Sequence, residues 1–197
     1  MEKKFWGGRF KKRIDSEFEK FSSSLSMDYR LLPYDLRIDA AHVKALVGCG
    51  VLSSAESAKL LKAIVKLQKE HQAGRLKVSR DHEDVHSWVD SELEKRVGDT
   101  AKKLHTGRSR NDLVSQSSRL YCKEHTEILI GQIRFVQKEL VHLAEKNQSV
   151  LIPGMTHLQN AQVISAAHLF LAWAEMLERA VIRFEGAKVL IDVCVLG

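Results

Sequence analysis

Two arginines, Arg108 and Arg110, stand directly before a long segment of helical periodicity, within the run HTGRSRND at residues 105–112. Positive charge at the N-terminus of a helix opposes the helix macrodipole, which favours anions there. The pair therefore indicates an anion site, where guanidinium groups, backbone N–H groups and the amide of Asn111 converge on the ligand. The alternative interpretation is that both arginines pair with acids elsewhere in the chain and Asp112 caps the helix.

A second polar group follows the Pro-Gly pair at residues 153–154 and contains Thr156, His157 and Gln159. Threonine and glutamine bind carboxylates without carrying charge, and histidine exchanges protons near neutral pH. We expect the turn to place these three side chains at the start of a second long helix. The alternative is structural, with Thr156 as the helix cap and His157 held by a hydrogen bond.

Two shorter polar segments carry weaker signals. His82 and His86 have the four-residue spacing that metal sites on helices use, but their order differs from that of zinc proteases and no third ligand suggests itself. We therefore expect no metal, and we interpret Asp84 as a helix-start carboxylate beside a packed His86. Ser24 ends a serine run that precedes Asp28, and taken alone it is a loop residue.

The elements that position these side chains are predicted to be helical. Apolar residues recur every three or four positions, Ser53 and Glu56 form a capping box, and glycines follow several helix ends. The predicted fold class is all-α, with a small helical N-terminal domain at residues 1–109 and the start of an incomplete bundle of long helices at 110–197. The spacing predicts helices at residues 14–21, 33–47, 53–73, 84–97, 110–147 and 159–190.

Composition excludes several classes of protein. The 197 residues carry a formal net charge of +6, which suggests an anionic partner but leaves the class of anion open. The positive residues are interleaved with acids, which argues against a nucleic-acid binder. No apolar run approaches the roughly 20 residues that span a bilayer, so we expect no membrane partner. The odd count of 3 cysteines argues against a disulfide framework or a zinc site, and it favours the reducing cytoplasm.

Together these segments resemble the argininosuccinate lyases, a family of the fumarase/aspartase superfamily. The resemblance extends from the WGGRF run at residues 6–10 to the closing VLG, and HTGRSRND is highly specific for the family. EDVH at residues 83–86 is similar to the family's EDxH element, and PGMTHLQ at 153–159 to its PG-x-THLQ element. The implied reaction is the reversible cleavage of argininosuccinate into arginine and fumarate, without cofactor or metal, in cytoplasmic arginine biosynthesis.

The resemblance also implies roles for individual residues. His157 and Thr156 are the implied catalytic residues, with His157 as the acid/base and Thr156 as a ligand of a substrate carboxylate. The implied substrate-binding residues are Ser24, Arg108, Arg110, Asn111, Thr156 and Gln159. His86 and Asp84 are implied supporting residues. Active sites of the family lie where subunits of a homotetramer meet, so these side chains need not meet within one chain.

The sequence departs from the family pattern at Met155, Asn160, Val163 and Cys194, where an aromatic residue, a basic residue, proline and serine are usual. The family's third signature, a Gly-Ser-Ser loop whose serine is the implied base, does not occur within these 197 residues. We therefore expect this chain to be the N-terminal portion of a larger protein and to be inactive by itself. Two alternatives remain: a non-catalytic scaffold or storage protein on the lyase fold, and another lyase of the superfamily that acts on a different succinyl adduct.

Overall fold

A computed structural model describes residues 15–76, 78 and 82–196, so the WGGRF run lies outside the described residues. The chain is mainly helical, as predicted, with one small hairpin of two strands. It divides into two compact units, the first ending at Ser117 and the second beginning at Ser118. In chain order, the elements are α1 (Ser16–Ser22), α2 (Leu25–Asp28), a 3-10 turn (Tyr29–Leu31), α3 (Leu32–Gly48), α4 (Ser54–Gln72), α5 (Val85–Val97), a 3-10 segment (Gly98–His105), α6 (Arg110–Lys146), β1 (Leu151–Thr156), β2 (Gln159–Ser165) and α7 (Ala166–Ile191).

The first unit is organised by α3, α4 and α5, which pack around one apolar core. Pro33 lies in the first turn of α3, where a missing N–H donor costs nothing. Gly98 follows α5 with a φ of 67°, a left-handed conformation that glycine adopts without steric cost. The predicted apolar faces are the buried ones, and the most buried side chains are Leu32, Leu36, Val43, Leu60, Ile64, Leu67, Val85, Trp88, Val89, Leu93 and Leu104.

The predicted capping box begins α4. The Ser53 hydroxyl accepts from the backbone N–H of Glu56 at 3.3 Å, and the Glu56 carboxylate accepts from the backbone N–H of Ser53 at 2.9 Å. Replacing Ser53 by alanine is expected to lower the free energy of unfolding by about 1 kcal/mol, because one N–H group of the first turn loses its acceptor. Urea unfolding followed by circular dichroism measures this loss. Ser54→Ala, one residue further on and inside the helix, is the matched control and should change little.

The second unit pairs the distal part of α6 with α7. The 37 residues of α6 extend about 55 Å at the standard rise per residue. Side-chain contacts link the two helices in antiparallel order: Lys123 to Asp192 at 2.7 Å, Lys188 to Glu127 at 3.4 Å, and Arg134 to Glu178. The predicted long helix at residues 110–147 is confirmed by α6.

The predicted start of the second long helix at residue 159 is wrong. Residues 159–165 form β2, which pairs antiparallel with β1, and α7 begins at Ala166 with Ser165 as its N-cap. The structural alternative for Thr156 is wrong as well, because Thr156 ends a strand and caps no helix. Val163 and Ile164 fit the helical period, but they are β-branched residues that also suit a strand, and Val163 pairs with Pro153.

Both long helices and the hairpin leave apolar side chains uncovered within this chain. Exposed examples on the two helices are Leu129, Phe135, Val136, Leu143, Leu171, Trp173, Met176 and Ile182, and on the hairpin they are Leu151, Met155, Leu158 and Val163. Contiguous exposed apolar surface is typical of protein–protein, membrane or ligand-binding sites. Within the described ranges, none of the helices combines the length and the apolar character that crossing a bilayer would require.

Candidate functional site

The serine run and the EDVH segment meet in the first unit. The backbone N–H of Ser24 donates to the carbonyl of Glu83 at 2.8 Å, and the Ser24 hydroxyl donates to the carboxylate of Asp28 at 2.6 Å. The other oxygen of Asp28 accepts from the backbone N–H of Val85 at 3.0 Å, in the first turn of α5. Ser24 is thereby fixed beside the start of α5, although the two segments are far apart in sequence.

Asp84 caps α5, as its position in the sequence predicts. Its carboxylate accepts from the backbone N–H of Ser87 at 2.6 Å, and the Ser87 hydroxyl stands 3.3 Å from the backbone N–H of Asp84. The same carboxylate lies 3.8 Å from a guanidinium nitrogen of Arg110. Asp84 therefore links the N-terminus of α5 to the N-terminus of α6.

The loop that precedes α6 is anchored to two helices. From α5, Asp90 contacts Arg110 at 2.8 Å and His105 at 3.2 Å. From α3, Asp39 binds the guanidinium of Arg108 at 2.5 Å, and His42 Nε2 donates to the carbonyl of Thr106 at 3.0 Å. Four side-chain contacts thus fix a loop of irregular backbone.

The alternative interpretation of the arginines matches these contacts, since both side chains pair with acids. The Arg108 side chain is 2% exposed, whereas that of Arg110 is 28% exposed. Asp112 accepts from the backbone N–H of Ser109 at 2.7 Å, and the Ser109 hydroxyl in turn accepts from the backbone N–H of Asn111 at 3.1 Å. These contacts cap the start of α6 and leave Asn111 exposed.

A buried group of charges lies behind this loop. His86 Nδ1 donates to Asp35 at 2.6 Å, with side chains 2% and 0% exposed, and the Asp39–Arg108 pair is equally buried. Asp35 and Asp39 lie one helical turn apart on α3. The group thus contains two carboxylates, one guanidinium and one imidazole. One oxygen of each carboxylate and one nitrogen of Arg108 are buried without a hydrogen-bond partner in the described part of the chain. Hydrogen bonding is therefore only partly satisfied within this group.

Burial shifts the pKa values of the titratable groups in this cluster. Burial raises the pKa of Asp39 to about 6, against the opposing attraction of Arg108. Burial also raises the pKa of Asp35, although His86 opposes it. Burial acts to lower the pKa of His86, but the hydrogen bond and charge of Asp35 outweigh it, so the pKa of His86 is raised. All three groups thus hold protons more tightly in the folded chain than in the unfolded chain.

The stability of the chain is expected to fall as pH rises from about 4 past 6.5 because of this cluster. Between the unfolded pKa of a carboxyl, near 3.8, and the value of about 6 for Asp39, the folded state binds more protons than the unfolded state. His86 adds stability that is complete below its unfolded value of 6.5 and is lost as pH rises through its raised folded value. Unfolding free energies measured across this range test the sign.

Asp39→Asn is the matched variant for this pH dependence. It removes the titrating group and should flatten the fall between pH values of about 4 and 6, because no carboxyl at this position then takes up a proton. Acids whose pKa is lowered, such as Asp84, act in the opposite direction and lose their contribution on acidification. An unchanged slope in Asp39→Asn would show that other groups cause the effect.

The other predicted site residues lie on the hairpin of the second unit. Thr156 ends β1 and Gln159 begins β2, and they pair across a two-residue turn formed by His157 and Leu158. Both turn residues have positive φ, 48° and 61°, which is uncommon for residues other than glycine. All four residues are exposed, with Leu158 90% exposed. The turn therefore holds His157 at an exposed tip in a conformation of elevated energy, a feature that clusters at functional sites.

Sequence reasoning missed four residues that hold the site: Asp35, Asp39, His42 and Asp90. The first two carried a signal, because they fall beside Leu32, Leu36 and Val43 on the apolar face of α3. An acid on a buried face requires a buried partner, and two basic residues of the predicted site segments supply it. Among the residues described, no cluster of three or more His, Cys, Asp or Glu has the arrangement of a metal site.

Comparisons with a protein-family model and with solved structures both find similarity to lyases. A protein-family model described as Lyase matches residues 8–197. A crystal structure of EDDS lyase in complex with formate is similar with a TM-score of 0.75 and 27% identity, over 87% of this chain and 33% of that one. An EDDS lyase variant with bound fumarate matches with a TM-score of 0.75 and 25% identity, over 95% of this chain and 37% of that one.

A more distant structure shares the fold. Fumarate lyase from Mesorhizobium sp. BNC1 matches with a TM-score of 0.64 and 18% identity, over 87% of this chain and 40% of that one. The chain thus spans between a third and two fifths of the length of these three structures. Because the family model covers nearly all of the sequence, the chain belongs to this lyase family, within the fumarase/aspartase superfamily.

Proposed function

We propose that this chain supplies the N-terminal part of a lyase subunit that cleaves argininosuccinate into arginine and fumarate. The observation that carries the proposal is the anchored HTGRSRND loop, which joins the EDVH segment and the serine run in one cluster. This run of residues is the most specific part of the resemblance. The loop presents Asn111 to solvent and keeps Arg110 partly exposed, while its backbone is held by α3 and α5.

The proposed reaction is an elimination. A base removes a proton from the carbon beside a carboxylate of the succinyl part, and the electron pair spreads onto that carboxylate. The C–N bond then breaks, the double bond of fumarate forms, and an acid protonates the departing guanidinium nitrogen. Because negative charge develops on the carboxylate, preorganised hydrogen-bond donors around it lower the barrier.

In this proposal, the residues divide into those that meet substrate and those that hold them. Asn111 and Thr156 donate hydrogen bonds to substrate carboxylates, with Arg110 at the anionic end and Gln159 beside Thr156. His157 transfers protons, directly or through a water molecule. Ser24 contacts substrate from the serine run.

For Arg108, His86 and Asp84 we propose supporting roles. The resemblance implies that Arg108 binds substrate, but its side chain is 2% exposed and paired with Asp39, which supports a role in holding the loop. His86 is equally buried against Asp35, and Asp84 caps α5 while it faces Arg110.

The proposed subunit is part of a homo-oligomer, and a tetramer is the state that the resemblance implies. The exposed apolar residues of α6, α7 and the hairpin support this, since Leu158, at the tip beside His157, is 90% exposed. Further protein must cover such a surface for the site to exclude water. The proposal places the remaining site residues on that protein and locates the enzyme in the cytoplasm.

The test uses three proteins: the 197-residue chain and two hybrids in which it replaces the equivalent third of a longer lyase. One hybrid continues into the rest of an argininosuccinate lyase and the other into the rest of EDDS lyase. Ultraviolet absorbance of fumarate follows the reaction with argininosuccinate and with EDDS. We expect the chain alone to be silent and the argininosuccinate-lyase hybrid to release fumarate from argininosuccinate.

Two outcomes distinguish the alternatives. A folded, oligomeric argininosuccinate-lyase hybrid that releases no fumarate would favour the scaffold interpretation. An EDDS-lyase hybrid that keeps the full preference of EDDS lyase for EDDS would favour a lyase for another succinyl adduct, since this chain would then contribute nothing to argininosuccinate selection. The two structural neighbours named EDDS lyase are the reason for including that substrate.

A further inference from the structure

Asp90 of α5 contacts two residues of the loop before α6, and the proposed reaction assigns it no role. One of its carboxylate oxygens, Oδ2, lies 2.8 Å from Arg110 Nη2 and 3.2 Å from His105 Nε2. These partners are the first and the sixth residues of the HTGRSRND run. A single oxygen atom therefore ties the two ends of the loop together and ties both to α5.

The backbone between the two ends requires such a constraint. Gly107 has a φ of 75°. The loop connects the 3-10 segment, which ends at His105, to α6, which begins at Arg110. Its amides make few regular contacts: Thr106 N–H donates to the carbonyl of Lys103 at 3.0 Å, and Arg108 N–H donates to that of His105 at 3.4 Å. Loop backbone with this little internal hydrogen bonding depends on side-chain anchors for its position.

Electrostatics gives Asp90 a specific role among these anchors. A guanidinium at a helix N-terminus is repelled by the macrodipole, and the carboxylates of Asp90 and Asp84, which face Arg110, offset that repulsion. The Asp90 side chain is 12% exposed, which strengthens its attraction for the guanidinium relative to a pair in bulk water. Since a carboxylate only accepts hydrogen bonds, contact with Asp90 also requires His105 to carry its proton on Nε2.

We propose that Asp90 is a positioning residue, which fixes the loop at residues 105–111 and so sets the direction in which Arg110 and Asn111 reach the substrate. This inference rests on the proposed function for its catalytic consequence, but its structural part is independent of it. Asp90 touches Arg110 and His105 and acts on the reaction through them. Its removal should loosen the loop and leave the core of the first unit intact.

Amide hydrogen exchange of the 197-residue chain tests the structural part. In Asp90→Ala, we expect exchange at Thr106, Arg108 and Asn111 to accelerate at least about tenfold, and the amides of α4 to be unchanged. Asp90→Glu restores a carboxylate and should recover most of the protection. NMR of the His105 ring nitrogens should show the Nε2–H form in the wild type and a mixture of tautomers in Asp90→Ala. Asp99→Ala, on an exposed acid of the same unit, is the control.

Three results would overturn the inference. The first is unchanged loop exchange in Asp90→Ala, which would mean that Asp39 and His42 suffice. The second is equal acceleration in α4, which would mean a general loss of stability; Asp90→Asn, which keeps the volume of the side chain, repeats the test if the alanine variant does not fold. The third is a loosened loop with unchanged kcat/KM in the argininosuccinate-lyase hybrid, where we expect a loss of about 10- to 100-fold. Absence of activity in the unmodified hybrid would instead count against the proposed function.

Discussion

Replacing Arg108 by methionine is expected to lower the free energy of unfolding by about 3–5 kcal/mol at slightly alkaline pH. The guanidinium is 2% exposed and pairs with Asp39, which is fully buried, and Asp35 lies on the same helix. Methionine fills a similar volume, but it leaves two buried carboxylates with His86 as their remaining basic partner among the described residues. Chemical denaturation monitored by circular dichroism measures the loss.

The same variant has a characteristic pH dependence. Arg108 lowers the pKa of Asp39 and of Asp35, so without it both carboxyls keep their protons to higher pH in the folded state. The folded variant therefore takes up these protons at higher pH than the wild type does, and the gap in stability should narrow as pH falls from alkaline values towards about 6, where Asp39 of the wild type also takes up its proton. A constant gap across this range would contradict the account of the cluster.

Arg134→Met is the matched control for the change in residue type. Arg134 pairs with Glu178 between α6 and α7, but its side chain is 50% exposed. Surface ion pairs contribute little because water already solvates both charges. The control variant should therefore unfold within error of the wild type, and a loss as large as that of Arg108→Met would remove burial as the explanation.

Replacing Thr156 by valine is expected to reduce kcat of the argininosuccinate-lyase hybrid about 10²- to 10³-fold. Valine keeps the shape of the side chain and the preference for a strand, so β1 should be preserved, while the hydroxyl donor for the developing carboxylate charge is lost. Fumarate release under saturating argininosuccinate gives kcat. Thr100→Val, in the 3-10 segment after α5, makes the same chemical change at a residue outside the hairpin sequence and should leave kcat unaltered.

The scaffold interpretation makes the opposite prediction for this pair of variants. If Thr156 only supports the hairpin, valine at this position should change stability and leave fumarate release as it was. Replacing His157 by asparagine adds a second comparison, because asparagine tolerates the left-handed backbone that His157 adopts but cannot transfer protons. Loss of activity with a stable hairpin would then assign chemistry to the tip residues.

Most helices of this fold could be predicted from the sequence because local signals agree with packing. The capping residues Ser53 and Asp84, the first-turn Pro33 and the terminal Gly98 all occur where the structure begins or ends a helix. Apolar periodicity indicated the buried faces of α3, α4 and α5. Local chemistry and burial give the same answer in these segments, so a single sequence is enough.

The hairpin could not be predicted because part of its sequence fits the apolar spacing of a helix as well as that of a strand. Val163 continues the four-and-three spacing of the residues that follow it in α7, but it lies in β2. The turn gives no local warning either, since two-residue turns with positive φ usually contain Asn or Gly, whereas this one contains His157 and Leu158. The structure of this segment depends on pairing between β1 and β2, and the spacing of apolar residues along the sequence does not reveal that pairing.

The sequence indicated the segments that form the candidate site, but it did not indicate the residues that anchor those segments. The motifs around Ser24, Asp84 and Arg110 do come together in the first unit. The anchors Asp39 and Asp90 lie on α3 and α5, and nothing in their local sequence states which loop they would contact. Long-range pairing between buried acids and loop arginines appears only once the helices have packed.

The measurement that tests the central claim most directly is fumarate release from argininosuccinate by the argininosuccinate-lyase hybrid, with its Thr156→Val variant beside it. The account predicts steady fumarate formation in the hybrid, a loss of about 10²- to 10³-fold in the variant, and none from the 197-residue chain alone. A folded, oligomeric hybrid that forms no fumarate, or a variant that forms it at the rate of the parent, would contradict the assignment of this chain to argininosuccinate cleavage.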